Sequence, residues 1–122
     1  MDFGITWFAT DEAIQPAELG RMVEERGFES LFTTEHSHIP TSRDSAHPGT
    51  GGELPDDRYL RILDPWVSLA TAAAVTSTIR LGTAVALPME HDPIGSWRFP
   101  VLTRDHHTSH AIFFVGSDSF PC

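Results

Sequence analysis

Ser30-Leu31-Phe32-Thr33-Thr34-Glu35-His36-Ser37-His38 is the stretch on which the reading of this chain turns. Ser30 to Thr34 has the make-up of a short buried strand, and it runs straight into a carboxylate and two imidazoles. Groups that exchange protons near neutral pH are thereby presented at the end of a rigid element.

Working upstream, Phe3-Gly4-Ile5-Thr6-Trp7-Phe8 reads as a first strand, aromatic and β-branched between polar residues. Pro16 suits a first helical position, with Glu18 in the first turn where the helix dipole favours an anion. Leu19, Met22 and Val23 recur at helical spacing, and Glu24, Glu25 and Arg26 are expected to face solvent. Gly27 stands where a left-handed helix stop belongs, and Phe28 starts the return. Strand, helix and strand in succession make a βαβ unit, whose strands run parallel.

Working downstream, Asp64-Pro65 is an N-cap followed by a first-turn proline. Trp66, Leu69, Ala70 and Ala73 form the apolar stripe of a second helix, which ends near Thr76-Ser77. Ile79 to Leu87 then reads as a third strand, almost wholly apolar, as when both faces are covered. Between the two units, from Glu35 to about Ile62, lies a loop with no regular structure expected and with Pro40, Pro48, Gly49, Gly51, Gly52 and Pro55 in it. It leaves the C-terminal end of the second strand, the side on which α/β folds place ligands. No Lys and no helix follow its glycines, so they read as a hinge and not as a phosphate cradle.

After Asp92-Pro93 the pattern weakens. Gly95 and Pro100 break the place where a third helix should begin, Ala111 to Val115 is a candidate fourth strand, and Ser117 to Cys122 reads as a tail. Residues 1–94 therefore form the organised part, and over 95–122 the pattern is lost.

The net charge of −9, with all eight basic residues Arg and scattered singly, argues against a nucleic-acid partner. Met1-Asp2-Phe3-Gly4 is no signal peptide, and the longest apolar run, Trp66 to Val75, is too short to span a bilayer. The one cysteine, Cys122, permits no intrachain disulfide. A cytoplasmic protein without a membrane partner is the expectation.

At the strand end, His36 is suited to giving and taking a proton, because an imidazole titrates at roughly pH 6.5. Alternation puts Glu35 on the opposite side, so the two need not touch. His36 and His38 share a side and have a rival reading as the metal pair of a metal-dependent barrel hydrolase. Such a site needs further ligands from later strands, and none is recognisable here. His106, His107 and His110 lie where structural signal is least and read as solvated. Trp7, Phe8 and Trp66 are expected in the core, with Phe8, at a strand end, also a candidate to face a ligand.

Three features together resemble the N-terminal part of the luciferase-like monooxygenases. They are Gly27-Phe28-Glu29-Ser30-Leu31-Phe32 leading to Glu35-His36, Leu63-Asp64-Pro65-Trp66-Val67-Ser68-Leu69 opening an Ala-rich helix, and Thr78-Ile79-Arg80-Leu81-Gly82-Thr83 with Val85 and Asp92-Pro93 beyond. The loop segments His38-Ile39-Pro40-Thr41-Ser42-Arg43 and Gly52-Glu53-Leu54-Pro55 are most similar to the branch that uses the deazaflavin coenzyme F420.

The resemblance implies an α/β fold: the N-terminal portion of a (β/α)8 TIM barrel, here three βα units and the candidate fourth strand. It implies hydride transfer between reduced F420, or alternatively FMN, and a small organic substrate, with molecular oxygen as co-substrate in some members. Glu35 and His36 match the acid-His pair beside the cofactor ring, His36 in proton transfer and Glu35 as an anchor. Ala84-Val85 matches a non-proline cis peptide behind the ring, and Leu87 a pocket-lining position. A complete barrel of this type needs roughly 250 residues. The family's Gly-Gly-Arg turn is missing after Pro93, so 95–122 reads as a divergent or frameshifted tail and the chain as a truncated, frameshifted or decayed gene product. As a catalytically inactive fragment its unpaired sheet edges would invite self-association.

Overall fold

Five elements follow in the order expected: β1 (Gly4–Trp7), α1 (Pro16–Glu25), β2 (Ser30–Thr33), α2 (Pro65–Ala73) and β3 (Arg80–Thr83). The computed structural model describes residues 1–42, 47, 49–52, 54 and 56–87, and the backbone of a two-residue strand β4 (Phe113–Phe114). The expectations for residues 95–100, for His106, His107 and His110, and for the tail after Ser117 lie outside the described residues.

The strands form a parallel sheet in the order β1-β2-β3-β4, so each new strand is laid beside the last. Ile5, Leu31 and Leu81 share one row of the register, and Trp7, Thr33 and Thr83 the next. Both described helices cover the same face, where Val23 of α1 and Leu69 and Ala72 of α2 meet Leu31, Ile79 and Leu81. Ile5, Trp7, Leu19, Phe28 and Ala73 pack around this cluster. Trp7 thus joins the core as expected. Burying side chains of this size is worth about 1.5–3 kcal/mol each, and that holds the layers together.

Helix α1 starts at Pro16 with no side-chain cap from Gln15. It ends in a Schellman motif: Gly27 adopts φ +75°, its N–H donates to the Glu24 carbonyl, and the Phe28 N–H donates to Val23. Helix α2 has a true cap, the Asp64 carboxylate accepting the Val67 N–H at 2.8 Å. Gly20 lets the helices approach closely, since a Cβ there would stand 3.2 Å from both Ala72 Cβ and Thr76 Cγ2.

Two expectations about the fold need correction. Strand β3 ends at Thr83 and not at Leu87, and Ala84 and Val85 form a bend. Its partner β2 stops at Thr33, whose carbonyl accepts the Ala84 N–H at 2.8 Å, so no further rung is available beyond that bond. The long loop also contains a 3-10 turn at Asp57–Leu60, because Asp56 accepts the Arg58 N–H at 2.9 Å as its cap.

Glu24 departs furthest from its expected solvent position. Its Oε1 accepts the N–H groups of Ser77, Thr78 and Ile79 and the Thr78 hydroxyl, at 2.5–3.1 Å. Burial works against the charge, but these donors outweigh it and hold the carboxyl at about 2. This one oxygen ties the end of α1 to the turn that feeds β3.

Candidate functional site at the strand ends

The segments that leave the C-terminal ends of β2 and β3, beside the end of β1, contain every proposed site residue. Glu35 follows β2 directly and is 2% exposed. Its Oε2 accepts the Leu87 N–H at 2.6 Å, bracing the segment that leaves β3 against the end of β2. A carboxylate engaged by a backbone donor in this way acts first as a brace.

His36 lies on the other side of that backbone, half-buried, with its ring centroid 5.5 Å from that of Tyr59. The same Tyr59 ring meets Phe8 edge-on at 5.2 Å and His47 at 5.6 Å. The Arg58 guanidinium stands 5.7 Å over the Phe8 ring. The 3-10 turn therefore presents an aromatic ring across the ends of β1 and β2. Next to it, His36, Ser37, His38, Tyr59, Leu60 and Ile62 line a cavity of about 300 Å³.

Two strap contacts hold the turn in place. Thr10 and Ile62 form an antiparallel bridge, and the Leu63 N–H donates to Ala9 at 2.9 Å. Arg61 grips Asp11 with two hydrogen bonds, at 2.8 and 2.5 Å, and reaches Glu12 at 3.0 Å. Hydrogen bonding to the guanidinium holds the Asp11 carboxyl below the usual carboxylate range.

Of the expected residues, Glu35 and Leu87 are joined directly, and Ala84 is tied to the end of β2. Val85 is 37% exposed beside them. The expected cis bond at Ala84-Val85 is absent: every described peptide is trans. Trans is lower by about 3–4 kcal/mol for a non-proline bond. His38 bonds its neighbour, with Ser37 Oγ 2.8 Å from Nδ1. No group of three or more His, Cys, Asp or Glu able to hold a metal ion occurs among the described residues. Nor is any described helix long and apolar enough to cross a membrane.

Sequence reading missed Tyr59. Its only signal was an aromatic residue inside an otherwise charged stretch, Asp56-Asp57-Arg58-Tyr59.

No solved structure matches the chain. Uncharacterized proteins of Mycobacterium bovis and of two strains of Mycobacterium tuberculosis are each 53% identical over 117 residues, covering 95% of this chain. The chain spans 41% of the length of these curated relatives. The family model of the luciferase-like monooxygenases matches residues 9–95, a span that includes the Glu35–Leu87 brace, His36 and the Tyr59 turn. All of these strand-end residues except Phe8 lie inside the matched region, and the chain belongs to the luciferase-like monooxygenase family.

Proposed function

We propose that this chain contributes the first βα units of a (β/α)8 barrel whose strand-end site binds coenzyme F420, or alternatively FMN. The activity would be an oxidoreductase reaction on a small organic substrate. Family membership supports the oxidoreductase class. Sequential parallel strands with both described helices on one face support the barrel, since a doubly wound sheet would place helices on both faces. It replaces the metal-dependent hydrolase as the reading of His36 and His38.

The fit of such a cofactor is tested by Thr34. Its Oγ1 is buried with no hydrogen-bond partner among the described residues. By alternation it shares a side with Phe32, away from the core cluster. A planar heterocycle with a polar edge would supply that partner and pack against the Phe8 and Tyr59 rings, so the residues fit.

The observation that carries the proposal is the division of labour across the β2 end. Glu35 braces Leu87 on one side while His36 stands against Tyr59 on the other. The cofactor, when bound, supplies hydride chemistry. His36 would hold or deliver the proton that balances charge on the substrate, through a ring nitrogen. Glu35 would keep Ala84, Val85 and Leu87 in place as a wall.

Titration of the purified chain with F420 or FMN, followed by cofactor fluorescence, tests the reading. Saturable quenching, weakened at least tenfold in Kd by His36→Ala, is the expected result. A folded chain that leaves both cofactors unquenched at high micromolar concentration overturns it and identifies the inactive alternative.

A further inference from the structure

We propose that Tyr59 is a positioning residue for His36, carried on the 3-10 turn and set in place by the Arg61 strap. The inference rests on the reading of His36 as the proton-handling group.

Tyr59 lies within ring distance of three side chains that come from three separate places. Phe8 follows β1, His36 follows β2, and His47 belongs to the loop's glycine-rich part. Interplanar angles of 63° and 55° for Phe8 and His36, at 5.2 and 5.5 Å, are within the edge-on and tilted geometries that aromatic rings favour. An imidazole has two nitrogens, and its use as an acid or base depends on which of them faces the reacting atom. Packing against the Tyr59 ring limits the orientations open to the His36 ring.

The turn is fixed independently of the ring. Asp56 caps it, and Arg58 returns two hydrogen bonds to the same carboxylate at 2.9 and 2.6 Å. Immediately after it, Arg61 and the Thr10–Ile62 bridge attach the chain to the loop that follows β1. Tyr59 is therefore flanked on both sides by residues with partners outside the turn's ring contacts. Leu60, by contrast, is 64% exposed and contributes little to holding the turn.

Proton NMR of the full chain without cofactor tests this, with the His36 ring resonances assigned by His36→Gln. In the wild type they are expected to be displaced by the Tyr59 ring current. Tyr59→Leu is expected to abolish the displacement and Tyr59→Phe to retain it, with His38 unmoved in both. Hydrogen exchange at the Leu63 amide, bonded to Ala9, reports whether the turn stays attached. His36 resonances unchanged in Tyr59→Leu overturn the proposal. So does a displacement lost only together with Leu63 protection, since Tyr59 would then merely hold the loop. If Tyr59→Leu does not fold, Arg61→Gln serves instead, with the ring kept and the strap cut. A smaller displacement is expected there, and an unaltered one is the overturning result. None of these readouts needs cofactor, so failure of F420 or FMN to bind leaves them interpretable.

Discussion

The two ends of the sheet are held together in different ways. At the end where the strands begin, one carboxylate oxygen of Glu24 gathers three backbone N–H groups and a hydroxyl. At the end where the strands finish, the Glu35 carboxylate accepts the Leu87 N–H, and aromatic contacts and a surface ion pair join the loops. The first end is built to close the fold. The second gathers His36, Ser37 and His38 around a cavity, at the end where α/β folds place their ligands.

This contrast is most sharply tested in the core that both ends share. Leu31→Ala empties a site that is 1% exposed, and a loss of about 2–5 kcal/mol in urea-denaturation stability is expected. A smaller loss would mean that the helices repack.

Glu24→Ala comes next. It strands the donors at Ser77, Thr78 and Ile79 and should cost about 1–3 kcal/mol while leaving His36 resonances in place. A coupled change at His36 would break the separation between the ends.

The same carboxylate predicts a pH dependence. Its folded pKa of about 2 lies below the ordinary 4.5, so the unfolded chain binds more protons between these values. Its stabilisation is complete above about pH 5 and is lost as pH falls through that window. Urea midpoints at pH 6 and pH 3 measure the loss, and Glu24→Gln should flatten it. Equal slopes in the two proteins would refute the assignment.

Glu35→Ala should lower stability by about 1–3 kcal/mol and release the backbone after β3, seen as faster exchange at the Leu87 amide. The smallest effect belongs to Arg61→Gln. This exposed pair is expected to change hydrogen exchange around Leu63 more than global stability, and high salt should reproduce part of the change.

Much of this architecture was legible along the chain because it depends on near neighbours. Gly27 stops α1, and Asp64 with Pro65 starts α2. Each is a matter of a few consecutive dihedral angles. The lengths of β3 and of the 3-10 turn were less legible, since the first is limited by where β2 ends and the second by a cap two residues long.

By itself, then, the sequence determined the order of strands and helices, the parallel winding and the presence of an acid-His pair at a strand end. Only the tertiary structure decided what those side chains touch. Glu24 meets Ser77 across 53 residues, Glu35 meets Leu87 across 52, and Arg61 meets Asp11 across 50. Such partners have no local signature, because the sheet brings them together only after the elements have formed. The acid-His pair is visible in one dimension, whereas the brace behind it and the tyrosine in front of it exist only in three.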